Sequence, residues 1–261
     1  MPASFDLSFT CEFAFTDLAY AERAKVISDA GFLVDFGFAT PETVEIFRNP
    51  KINTGSFVAT TAGSILHPDE VDALVDGVEK AVGIAQEVGS KNLVLLEGLL
   101  GPKGEVIHGI EASEMTRWIT AYKALERAAK HAEKGGVTLC LEHLNTKIDH
   151  KGYGIGLVEE AVRLVQEVAS PNLKITLDLY HAQVEEGNVI ELIRKYIDFV
   201  GLIHVADSPG RHEPGTGEMN YKNIARVLND LGYTGPVGFE GYPIGDSFEA
   251  MQVFRETFSL S

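Results

Sequence analysis

Short β-rich apolar runs alternate with longer segments of helical periodicity eight times along these 261 residues. The runs cover residues 4–9, 33–38, 55–60, 92–97, 137–143, 174–179, 201–205 and 237–241. Between them, residues 68–88 show the clearest helix. Val71, Leu74, Val75, Val78, Val82 and Ala85 recur at three- and four-residue steps, with acids between them. Residues 113–134 and 157–169 behave alike. Thr40-Pro41-Glu42 reads as an N-cap, a proline at the first helical position and an acid in the first turn. Gly31, Gly135 and Gly232 stand where helices should stop. Repeated strand–helix alternation predicts a parallel sheet. Eight such units in a chain of this length predict an α/β fold of one kind, a single (β/α)8 TIM barrel. A doubly wound open sheet is the alternative that periodicity leaves standing. No Pro/Ser-rich linker or low-complexity stretch divides the chain, so residues 1–261 read as one domain.

Composition narrows the partners. Lys and Arg number 22 against 38 Asp and Glu, a formal charge of −16. Phosphate recognition needs a basic footprint, so nucleic acid is disfavoured. No apolar run reaches the roughly 18 residues of a membrane span, and no basic stretch precedes the first apolar segment, as a signal peptide requires. Cys11 and Cys140 lie far apart in strand-like surroundings without CxxC spacing. They read as buried free thiols in a reducing, cytoplasmic setting.

The late strands end on ionisable residues. Segment 137–143 carries Glu142, segment 174–179 carries Asp178, segment 201–205 carries His204, and segment 237–241 carries Glu240. Each spacing matches one βα unit, so the four side chains can converge on one mouth of a barrel, where catalytic residues of such folds sit. Three carboxylates and one imidazole suit a hard-to-borderline divalent cation such as Mn²⁺ or Mg²⁺. A lone acid at a strand end is more often a helix N-cap or a solvated rim charge. The run of four in consecutive units is what favours a site.

The segment from His204 to Tyr221, and within it Arg-His-Glu-Pro-Gly-Thr-Gly-Glu at 211–218, closely resembles the hydroxypyruvate isomerase family. That family belongs to the xylose-isomerase-like barrels, with the ketose 3-epimerases. Leu141-Glu142, Leu177-Asp178-Leu-Tyr-His181 and Phe239-Glu240 match as well, and the resemblance is firm over residues 85–245. It implies a divalent metal held by Glu142, Asp178, His204 and Glu240, with Glu142 and Glu240 as the acid/base pair. It implies that His181 hydrogen-bonds a substrate oxygen. The resemblance includes dimers and tetramers, which leaves a homo-oligomer open. Some members carry Gln where this chain has His204, whereas ketose 3-epimerases carry His there. Glu97 stands where a small or apolar residue is expected, and Asp6-Leu7-Ser8 lacks the asparagine often found on the first strand.

The implied chemistry is proton abstraction beside a carbonyl, through an enediolate. The substrate is then a small hydroxy-keto acid or a ketose. Hydroxypyruvate, interconverted with tartronate semialdehyde, is the leading choice, and a ketose 3-epimerase is the alternative. An endonuclease and a non-catalytic carbohydrate-binding barrel are the readings from other classes. Arg211, in a Gly/Pro-rich loop, suits a two-point clamp on a carboxylate or a loop-ordering salt bridge, with Glu213 and Glu218 as its expected partners. Gly152-Tyr-Gly-Ile-Gly156 lacks the complete dinucleotide fingerprint and reads as a flexible mouth loop. His143 should point away from Glu142, since neighbouring strand side chains alternate. His67 and His108 read as loop or surface residues. Glu159 and Glu160 read as solvated helix acids.

Overall fold

The computed structural model describes residues 5–107, 109 and 111–259. Ser4, where the first strand was expected to start, and His108 lie outside them. The strands are β1 (Asp6–Thr10), β2 (Leu33–Phe38), β3 (Thr54–Val58), β4 (Asn92–Leu95), β5 (Thr138–Glu142), β6 (Leu173–Asp178), β7 (Val200–Val205) and β8 (Pro236–Phe239). They pair in sequence order, all parallel, and β8 closes onto β1. Closure removes the open-sheet alternative. The helices are α1 (Tyr20–Asp29), α2 (Pro41–Phe47), α3 (Val71–Val88), α4 (Glu114–Gly135), α5 (Val158–Val168), α6 (Leu179–Glu185), α7 (Val189–Tyr196), α8 (Tyr221–Asp230) and α9 (Ser247–Phe258). Among the described residues no helix is long and apolar enough to cross a membrane.

Local chemistry sets most boundaries. Thr40 caps α2 by accepting from the Thr43 N–H, with Pro41 at the first helical position. Asp246 caps α9 through the Phe248 and Glu249 N–H groups. One expected stop is displaced by a residue. α4 runs through Gly135, and Gly136, left-handed at φ 68°, ends it. Gly135 has a packing role instead, since a Cβ there would meet Val82 Cγ1 at 2.1 Å. Its absence lets α4 lie close against α3. β4 and β8 are shorter than expected, because the chain leaves the ladder at the mouth. Glu97 and Glu240 therefore sit just past their strands.

The core fills the space between barrel and helices. Phe9, Phe239 and Phe254 are fully buried, and the Phe9 and Phe239 rings stand 4.6 Å apart. Burying each such side chain contributes about 1.5–3 kcal/mol. Cys11 and Cys140 are buried free thiols, and burial pushes the Cys11 thiol up to about 12.

Candidate metal centre and active site

Strand register brings the ionisable strand ends together. Asp178 on β6 is the registered partner of His204 on β7, and His204 is registered with Gly238 on β8. Glu142 closes β5 and Glu240 follows β8. One ligand atom from each of Glu142, Asp178, His204 and Glu240 lies within 4.8 Å of the others. His204 Nδ1 stands 3.2 Å from Glu142 Oε1 and 3.5 Å from Glu240 Oε2. The Glu142, Asp178 and His204 side chains are at most 5% exposed, whereas Glu240 keeps 23%. Glu240 is thus the member that faces the open mouth.

Each acid enters this cluster with its other contacts settled by the fold. Asp178 ends β6 and caps α6: Oδ1 accepts from the Tyr180 and His181 N–H groups at 2.8 and 3.0 Å. The N-cap role and the site role therefore coexist, because the second oxygen is left to face inward. Gly238 makes room beneath. A Cβ there would lie 2.6 Å from Ser8 Oγ, 2.7 Å from Asp35 Oδ2 and 3.4 Å from His204 Cδ2.

The electrostatics separate the two glutamates. Burial raises Glu142 to about 7, against the pull of its hydrogen bond to His204. Burial would also raise Glu240, but the charges and hydrogen bonds of His204 and Arg211 overcome it and hold Glu240 at about 2. Burial works against the His204 cation, yet Glu240 and Glu142 lift its pKa well above the usual value. Two buried acids and the part-exposed Glu240 are thus balanced by an imidazole and a guanidinium. The donor set itself, with a buried His204 Nε2 that has no hydrogen-bond partner among the described residues, fits a hard or borderline divalent cation.

Arg211 lies in this cluster, and its partners differ from those expected. Nη2 reaches Glu240 Oε2 at 2.5 Å and Asp178 Oδ2 at 3.5 Å, and Nε donates to the Glu240 carbonyl at 3.2 Å. Glu213 instead accepts from the Ile244 N–H, and Glu218 from Gln183. The reason is the fold of the 206–219 loop around Asp207. That carboxylate accepts from the Ser208, Gly215 and Met219 N–H groups. The turn aims Arg211, at φ 58°, back toward β8. Most of the family-like motif is therefore scaffold, and Arg211 alone among residues 211–218 joins the acids.

His181 is fully buried beside Asp178. Its Nδ1 accepts from the Asn145 backbone N–H at 3.3 Å and lies 2.7 Å from Asn145 Nδ2. Two donors on Nδ1 place the proton on Nε2. Nε2 is 3.7 Å from Asp178 Oδ2, beyond hydrogen-bonding reach, and has no other partner among the described residues. Burial, and then the Arg211 charge, hold His181 neutral. The result is an oriented neutral donor. His143 is buried outside the four-residue cluster.

Several residues near the mouth are not legible as functional from sequence. Asn145 fixes the His181 tautomer. Tyr153 accepts from the Glu97 N–H at 2.8 Å and donates to the Glu142 carbonyl at 3.1 Å. The Glu97 carboxyl accepts from the Gly154 N–H at 2.6 Å. The 152–156 segment, expected to be a flexible loop, is therefore pinned, with Tyr153 and Ile155 buried. Asp35 on β2 accepts from the Ser8 hydroxyl and from both Ser56 donors. Glu12, two residues past β1, accepts from Gly37 and Tyr20. Glu159 pairs with Arg163 and Lys195 on the surface, and Glu160 caps Leu157.

Comparison with known proteins agrees with this geometry. Residues 33–257 match the model of the family described as xylose isomerase-like TIM barrel. The hydroxypyruvate isomerase of Escherichia coli is 32% identical over 87% of this chain and 88% of its own. The 2-oxo-tetronate isomerase of Pectobacterium atrosepticum is 27% identical over 91% and 92%. The crystal structure of AP endonuclease, family 2 from Brucella melitensis superposes with a TM-score of 0.83 at 27% identity, covering 98% of this chain and 99% of that one. Closed barrel, convergent strand-end acids and imidazole, and family match lead to one assignment: this chain belongs to the xylose isomerase-like TIM barrel family, with the hydroxypyruvate isomerases.

Proposed function

We propose that the protein is a divalent-metal-dependent isomerase of small hydroxy-keto acids, interconverting hydroxypyruvate and tartronate semialdehyde through an enediolate. The convergence of Glu142, Asp178, His204 and Glu240 within 4.8 Å carries this reading, and the names of the Escherichia and Pectobacterium relatives support a keto-acid substrate. Those four side chains would hold Mn²⁺ or Mg²⁺, which when bound withdraws charge from the oxygens of an α-hydroxy ketone. The protein's own groups handle the proton. Glu142 and Glu240 come from β5 and β8, the two ends of the β5–β8 arc, and would flank a flat enediolate. Glu240, held ionised, is suited to take a proton at neutral pH. Glu142, the second glutamate at the site, is placed to give one back. Arg211 orients the Glu240 carboxylate and supplies positive charge that an anionic substrate needs against a net charge of −16. His181 offers its Nε2–H to a substrate oxygen. The same reading places the enzyme in the cytoplasm, where two buried thiols stay reduced.

Proton exchange tests the proposal. With Mg²⁺, the protein is expected to wash deuterium from D₂O into hydroxypyruvate, read by NMR, and chelation is expected to stop it. No incorporation, by protein active on another substrate, would remove hydroxypyruvate. His204 motivates a second reading, a ketose 3-epimerase, which predicts turnover of fructose or tagatose to their C3 epimers.

A further inference from the structure

Glu12 borders a cavity of about 60 Å³ that His204 and Glu240 also line. Two donors hold its Oε1: the Gly37 N–H at 2.6 Å and the Tyr20 hydroxyl at 2.5 Å. They fix the plane of the carboxyl group. Its Oε2 is buried and has no hydrogen-bond partner among the described residues. Buried polar atoms are nearly always paired, so an unpaired one beside a ligand cavity marks what a ligand must bring. Phe13, Phe36, Phe57 and Val58 form much of the surrounding wall, the Ser56 hydroxyl is spent on Asp35, and the Thr10 hydroxyl, which also lines the cavity, makes no hydrogen bond to Oε2. Asp35, the other acid on this side, has both oxygens engaged by Ser8 and Ser56. The cavity holds about two water-sized groups, enough for a hydroxymethyl group beside the candidate metal ligands.

We propose that Glu12 binds a hydroxyl beyond the α-hydroxy ketone pair, so that the site turns over hydroxypyruvate, which lacks that group, but favours longer keto acids that carry it. The inference rests on the hydroxy-keto acid reading of the site. A hydroxyl satisfies Oε2, a methyl leaves it unpaired, and a substrate carboxylate is turned toward Arg211. Burial also raises the Glu12 pKa, and a hydroxyl can pair with either protonation state.

Steady-state kinetics on 3,4-dihydroxy-2-oxobutanoate and its 4-deoxy analogue, 3-hydroxy-2-oxobutanoate, provide the test, with hydroxypyruvate alongside. The ratio of kcat/KM for the dihydroxy acid over the deoxy acid is expected to be about 10–100 in the native protein, the worth of a hydrogen bond to a charged group. In Glu12→Leu it is expected to fall toward one. Glu12→Gln keeps an oxygen for Gly37 and Tyr20, guards against misfolding, and is expected to lower the ratio by a smaller factor. A native ratio near one, or a ratio unmoved in both variants, overturns the role of Glu12 alone. Native protein inactive on all three acids overturns the underlying reading with it.

Discussion

The two halves of the barrel mouth use the same residue types for opposite ends. On the β5–β8 side, Glu142, Asp178 and Glu240 each turn an oxygen toward a common point, facing His204 and Arg211. On the β1–β4 side, Asp35 is equally buried, but Ser8 and Ser56 engage both its oxygens. Glu97 gives an oxygen to the backbone of the 152–156 segment. Burial alone therefore does not mark a candidate ligand. What separates the two sides is whether an oxygen is turned to the shared point or is held by serine and backbone donors away from it. Glu12 falls between the two cases, with one oxygen held and one unpaired.

Three substitutions probe this contrast. Glu142→Gln removes the proposed proton carrier on the β5–β8 side and is expected to lower kcat by about 10²–10⁴, the usual worth of general acid–base catalysis. Stability in denaturant should hold, and a tenfold loss or less would move Glu142 out of the acid/base role. Asp35→Ala is expected to act mainly on stability. It strands the Ser8 hydroxyl and the Ser56 donors in the barrel interior, at about 1–3 kcal/mol for each donor left without an acceptor. Urea unfolding measures it, and a shift under 0.5 kcal/mol would show that water replaces the carboxylate.

Glu97 gives the smallest expected effect, and it depends on pH. Burial raises its pKa to about 8 from the ordinary 4.5, although the Gly154 and Ile155 N–H groups pull the other way. The unfolded chain releases this proton near 4.5 and the folded chain only near 8. The stability contributed by the neutral acid is therefore complete below about 4.5 and lost as pH rises toward about 8. Glu97→Gln should flatten that part of the profile, with native and variant converging less at pH 9 than at pH 5 by more than about 1 kcal/mol. Denaturant midpoints at the two pH values check it. Parallel profiles would mean that Glu97 is ionised in the folded protein throughout.

Much of the site's placement was legible in sequence because a βα barrel repeats. Strand ends one unit apart must emerge at the same mouth, so residues 142, 178, 204 and 240 could be grouped without coordinates. Arg211 was legible as a mouth residue, but its partners were not. The Asp207-centred turn reverses the chain and exchanges the nearby Glu213 and Glu218 for Glu240 and Asp178. Asn145 left no sequence signal, since an amide in a loop reads alike whether it fixes a tautomer or faces solvent, and Tyr153 read as a residue that could line a pocket or the core, with nothing to show its bonds to the Glu97 N–H and the Glu142 carbonyl.

Alternating periodicity and charged strand ends fix the barrel and one arc of its mouth, because both are local patterns that backbone geometry repeats. The division of labour among the acids is a tertiary outcome. Asp35, Glu97, Glu12 and Glu240 are chemically near-identical along the chain. Each is set apart by donors that arrive from elsewhere in the sequence: Ser8 and Ser56, Gly154, Tyr20 and Gly37, and Arg211. Hydrogen-bond satisfaction in a low-dielectric interior depends on position in space, and only the closed barrel brings those donors within reach.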